Sequence, residues 1–112
     1  MNILEEVKGD LVILKLQEPR LDASTATALR EALIERIARG HLSIIIDLGD
    51  VGFMDSSALG ALIAAVKKLG PLGTIAVASM RTPVARLFAV TKMDRVFSVN
   101  ATVSDAIQKL SA

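Results

Sequence analysis

The side chains best equipped for chemistry crowd into one stretch, Phe53-Met54-Asp55-Ser56-Ser57. Asp47 and Asp50 come shortly before it, and the single histidine, His41, lies further upstream. Three chemistries could use this set. A nucleophilic serine would need Ser57 beside His41. The apolar run Ile44–Ile46 separates them, however, and a strand there, rising about 3.3 Å per residue, sets the two roughly 15 Å apart. A base must come within about 3 Å of the proton it removes, so a Ser–His hydrolase is a poor fit. Cation binding by Asp47, Asp50 and Asp55 is the second option. Aspartates at strand ends and in loops are also routine turn and cap formers, and Asp55 is well placed to cap a helix beginning at Ser56. The third is acceptance of a phosphoryl group. Capping needs only one of Asp55, Ser56 and Ser57, which leaves hydroxyls to face solvent. A phosphate on Ser56 or Ser57 is expected to lie against free backbone N–H groups at the positive end of the helix. Its charge of about −1.5 to −2 would transform the surface a partner meets.

The elements that must position these groups are legible in the hydropathy pattern. Ile3–Lys8 and Leu11–Leu16 flank Gly9-Asp10 and predict an antiparallel hairpin, the second strand half-buried through Val12, Leu14 and Leu16. A helix is expected from Ser24 to Arg39, with Leu29, Ala32, Leu33 and Ile37 on one face and Gly40 ending it. Ser43–Asp47 reads as a strand covered on both faces, Leu48–Met54 as a loop and Ser56–Leu69 as a helix apolar nearly all round. Gly70-Pro71-Leu72-Gly73 marks a turn, and Thr74–Ser79 a further strand. Thr82 and Pro83 supply an N-cap and first-turn proline for a helix through Val90. Arg95–Val99 is the last expected strand, and Thr102-Val103-Ser104-Asp105 opens a terminal helix with a capping-box pattern. The order ββαβαβαβα defines an α/β fold with a mixed sheet and about four helices, expected to form a single domain over residues 1–112.

Composition narrows the function. Hydrophobic residues make up 52% of the 112 residues but include only three Phe, so the core must be aliphatic. The absence of Cys and the lone His remove disulfides, thiol catalysis and the usual zinc or iron centres. No phosphate-cradling or dinucleotide-binding glycine motif occurs, so no cofactor and no enzymatic activity are expected. Residues 1–60 carry 6 basic and 10 acidic side chains (net −4), whereas residues 61–112 carry 7 and 2 (net +5). Such a dipolar chain can orient a protein partner. The bases are scattered and no aromatics interleave with them, which disfavours nucleic acid. No apolar run approaches the length of a membrane span, and the acidic start MNILEEVKGD is unlike a secretion signal. The expected location is the cytoplasm, without membrane insertion.

The chain resembles STAS domains, specifically the single-domain bacterial anti-sigma factor antagonists. The resemblance is carried by the opening hairpin, Leu21-Asp22 before a Thr- and Ala-rich helix start, and the Ile-Ile-Ile-Asp-Leu strand. It continues through Phe53-Met54-Asp55-Ser56-Ser57-Ala58-Leu59-Gly60 and Pro83-Val84-Ala85-Arg86-Leu87-Phe88. It implies that Ser57 is phosphorylated by a partner anti-sigma factor that is also a serine kinase of the GHKL ATPase type, and that a PP2C-type phosphatase reverses the modification. The implied partner-binding residues are Asp22, Phe53, Met54, Asp55, Ser56 and Ser57. The family commonly has Gly where this chain has Ala58, whose methyl is expected beside the acceptor and should stiffen the first turn. The alternative implied by the same resemblance is a scaffold subunit of a sensory complex, or a regulatory STAS protein of a transporter. Exposed apolar patches and weak self-association would mark that alternative.

Overall fold

The computed structural model describes residues 1–111; Ala112, the last residue of the expected domain, lies outside them. The chain begins with β1 (Ile3–Lys8) and β2 (Leu11–Leu16), paired antiparallel about Gly9, whose φ of +59° suits glycine in the tight connection. The two-residue strand β3 (Arg20–Leu21) follows, then α1 (Ala26–Ala38) and β4 (Ser43–Asp47). Next come a second two-residue strand, β5 (Phe53–Met54), helix α2 (Ser56–Leu69) and β6 (Thr74–Ala78). The chain closes with α3 (Thr82–Val90), a 3-10 turn at Met93–Arg95, β7 (Ser98–Asn100) and α4 (Val103–Ser111).

Five strands form one mixed sheet in the order β1-β2-β4-β6-β7, with every pair after the hairpin parallel. Alternation along the strands builds two cores. Val12, Leu14, Leu16, Ile44, Ile46, Ile75 and Val77 face one side, where α1, α2 and α3 bring Leu29, Leu33, Leu62, Val84 and Phe88. Ile13, Ile45, Ala76 and Ala78 face the other, where α4 packs through Ala106 with Val103, Ile107 and Leu110 beside it. The three isoleucines of β4 are fully buried because helices cover both faces.

The expected order holds apart from the added two-residue strands β3 and β5, with four further corrections. β2 is not half-buried: Leu11 and Ile13 are buried as well as Val12, Leu14 and Leu16, and α4 packs over Ile13 from the opposite face. The first helix starts at Ala26, not Ser24, because residues 22–25 are tied into a turn. Ser24 and Thr25 donate backbone N–H groups to Asp22, to Oδ1 and the carbonyl oxygen respectively, at 3.0 Å each. Arg81, not Thr82, is the cap residue of α3; its backbone is extended, and Thr82 is already helical with Pro83 in the first turn. The last strand begins at Ser98 rather than Arg95. Met93 O accepts from Val96 N and Phe97 N at 3.0 Å each, so the backbone here is a turn. That turn drives the Phe97 ring into the core, edge-on to Phe88 at 5.6 Å between centroids.

The candidate phosphoacceptor surface

The segment read as a loop over Leu48–Met54 ends in a strand. β5 pairs in parallel with β3, Arg20 opposite Phe53 and Leu21 opposite Met54, as a small sheet of its own. Gly52 N donates to Pro19 O at 2.9 Å and Asp55 N to Leu21 O at 3.1 Å, extending the pairing at both ends. This ladder brings the turn before α1 against the N-terminus of α2. Asp22 and Ser57, distant in sequence, thereby share one surface.

Asp55 locks the junction. Its carboxylate Oδ1 accepts from Ser57 N at 2.9 Å and Ala58 N at 3.1 Å, while Oδ2 accepts from Ala23 N at 3.2 Å. One side chain thus caps α2 and holds the turn that contains Asp22. The cap leaves the Ser56 and Ser57 side chains exposed. It also corrects one expectation: the Ser57 and Ala58 amides are occupied by Asp55, so a phosphate on Ser57 would not find them free.

Asp22 lies beside this cap. Ser24 Oγ donates to its Oδ1 at 2.6 Å, and Arg20 Nε stands 3.6 Å from Oδ2. The Ser24 hydroxyl holds the Asp22 carboxyl below its ordinary value, against an opposing desolvation effect; the Ser24 amide and the Arg20 charge add to the lowering. The Arg20 guanidinium also sits 4.2 Å from the centroid of the Phe53 ring, which is 39% exposed. Of the residues expected on the surface, Asp22, Phe53, Asp55, Ser56 and Ser57 are brought together there. Met54 is buried at 6% exposure, so its side chain anchors β5 in the core rather than facing solvent. Ala58 is fully buried too. Its methyl packs into the main core.

Behind Ser57 a shallow trough of about 210 Å³ runs between α1 and α2, lined by Ala26, Thr27 and Arg30 on one side and Ser57, Gly60, Ala61 and Ala64 on the other. Sequence reasoning missed Arg20 and Arg30. The spacing of Ala26, Thr27 and Arg30 on one helical face was the available signal for the latter. Among the described residues Asp47 and Asp50 do not join the Ser57 surface through any hydrogen bond; Asp47 Oδ1 instead accepts from Gly49 N at 2.9 Å and closes its own turn.

The chain belongs to the STAS domain family, which matches residues 2–106. It is similar to the anti-sigma-F factor antagonist RsfB of Mycobacterium tuberculosis, with 31% identity over 87 residues that span 78% of this chain and 71% of that protein. A solved anti-sigma factor antagonist from Mycobacterium paratuberculosis superposes with a TM-score of 0.90 at 26% identity, covering 99% of this chain and 94% of the other. The phosphorylated form of the Bacillus cell fate determinant SpoIIAA shares the fold, with a TM-score of 0.73 at 21% identity over 97% of this chain and 99% of that one. The mixed α/β architecture expected from the sequence is therefore that of STAS domain structures.

Proposed function

We propose that this chain is an anti-sigma factor antagonist that works in the cytoplasm by partner switching. Unphosphorylated, it binds an anti-sigma factor that is also a GHKL-type serine kinase, through Asp22, Phe53, Asp55, Ser56 and Ser57. Capture of that partner frees a sigma factor or another client. The kinase then transfers the γ-phosphoryl group of ATP to Ser57: the serine Oγ–P bond forms, the bond to ADP breaks, and the hydroxyl proton passes to a base on the kinase. Like-charge repulsion from Asp55 and the cost of desolvating a phosphate dianion eject the product. A PP2C-type phosphatase hydrolyses the ester and resets the chain, which contributes no catalytic residue of its own.

The observation that carries this reading is the division of labour at the start of α2. Asp55 performs the capping, so the exposed Ser57 hydroxyl can be modified while the cap stays in place. A hundredfold loss of affinity needs only about 2.7 kcal/mol, within reach of one badly placed phosphate. The test is a paired capture from native lysate with the wild-type chain and Ser57→Asp as baits. Recovery of a GHKL-type kinase by the wild type alone supports the reading. Equal recovery by both, or recovery only of STAS proteins, refutes the switch at Ser57 and favours a scaffold role.

A further inference from the structure

Resting on the assignment of Ser57 as phosphoacceptor, we infer that Arg30 of α1 is the internal clamp for phosphorylated Ser57, received across the trough between α1 and α2. Three observations lead there. The first concerns what the phosphate cannot use. The Ser57 and Ala58 amides donate to the Asp55 carboxylate, and the Leu59 amide donates to Asp55 O at 3.1 Å. A phosphate on Ser57 Oγ therefore meets a carboxylate at two of the first-turn amides, and only Ser56 N is left without a partner among the described residues. A dianion so placed needs a cation from another element.

The second observation is position. Ser57, Gly60 and Ala64 follow one another along the face of α2 that lines the trough, and Arg30 lines its opposite wall as the one charged side chain there among the described residues. The trough is open at Gly60, where a methyl group would meet no side chain or other element within 4 Å among the described residues. The third is availability. Arg36 is paired with Glu5, Arg39 with Glu35, and Arg20 with Asp22. Arg30 makes no side-chain hydrogen bond or ion pair among the described residues.

A guanidinium can meet two phosphate oxygens at once in a planar fork, which a lysine cannot reproduce. The clamp has two consequences. It holds the phosphate in its dianionic form, and it fastens α1 to α2 over the trough. The phosphorylated state is then a stiffer surface with the trough bridged, and not only a more negative one.

The test installs phosphoserine at position 57 by genetic encoding, so that no kinase is needed, in the wild-type chain and in Arg30→Gln and Arg30→Lys. Phosphorus NMR follows the second phosphate ionisation, ordinarily near pH 6, and thermal melts compare each chain with its unmodified form. The expected result is a midpoint about 0.5–1 unit lower in the wild type than in Arg30→Gln, with Arg30→Lys between them. Phosphorylation should raise the melting temperature most in the wild type, less in Arg30→Lys and not at all in Arg30→Gln, while the unmodified variants melt together. Identical phosphorus titrations for wild type and Arg30→Gln overturn the clamp. Partner capture by the same phosphorylated chain is read separately: retained capture defeats the switching function and leaves the clamp standing.

Discussion

At the scale of single residues the surface is organised by two aspartates with different duties. Asp55 satisfies three backbone N–H groups on two elements, whereas Asp22 stays partly exposed with Ser24 and Arg20 around it. The depressed Asp22 carboxyl has a definite pH consequence. A group whose folded pKa lies below its unfolded value contributes stability that is complete above the unfolded value, here near 3.8, and is lost as pH falls through the folded one. Asp22 is thus ionised throughout the neutral range and presents a fixed negative charge beside Ser57. A carboxyl-carbon NMR titration should place its midpoint below 3.8, and Ser24→Ala should move that midpoint upward, because the hydroxyl is the largest cause of the depression. A midpoint indifferent to Ser24→Ala would assign the shift elsewhere. Asp55 and Ser57 were legible in the sequence because a cap followed by surplus hydroxyls is a local pattern. Arg20 over Phe53 was not, since the contact exists only once two short strands have paired.

Among the elements, α2 was the most legible and the small β3–β5 sheet the least. Asp55 before a run of apolar residues and Gly70 after it, the latter with φ of +78°, bound the helix at both ends. A two-residue strand, by contrast, has no period to read; β3 and β5 arise because Pro19–Leu21 and Gly52–Asp55 must share hydrogen bonds beneath the surface they build. Gly60 is the weak point within α2. It lies in the helix interior, exposed, and a methyl there would enter open space. Gly60→Ala should therefore stabilise the fold by about 0.5–1 kcal/mol, seen as a higher urea midpoint at unchanged slope. Destabilisation would mean that the trough floor is already filled.

Over the whole molecule, the alternation of strands and helices announced an α/β fold, but nothing local said which face each helix would cover. The pattern of β2 therefore shows one buried face where the fold has two, because its Ile13 is closed off by α4 rather than by the helices that carry the candidate surface. The two faces also differ in the size of what meets there. On the broad face, leucines and Phe88 fill the space; on the other, α4 sets Ala106 among Ile13, Ile45, Ala76 and Ala78. With alanines on both sides, the helix lies close to the strands, and Ala106 has no exposed surface. Enlarging it must push α4 away or force the neighbours from their rotamers, at a cost of about 1–3 kcal/mol. Ala106→Leu should accordingly lower the denaturation midpoint, whereas Gln108→Leu, at an exposed position of the same helix, should change stability by no more than about 0.5 kcal/mol. Because α4 lies across the sheet from α2, the folded fraction of Ala106→Leu should keep the wild-type partner affinity. A matching loss of affinity would show that the two faces of the sheet are coupled, and that the surface around Ser57 depends on packing behind the strands.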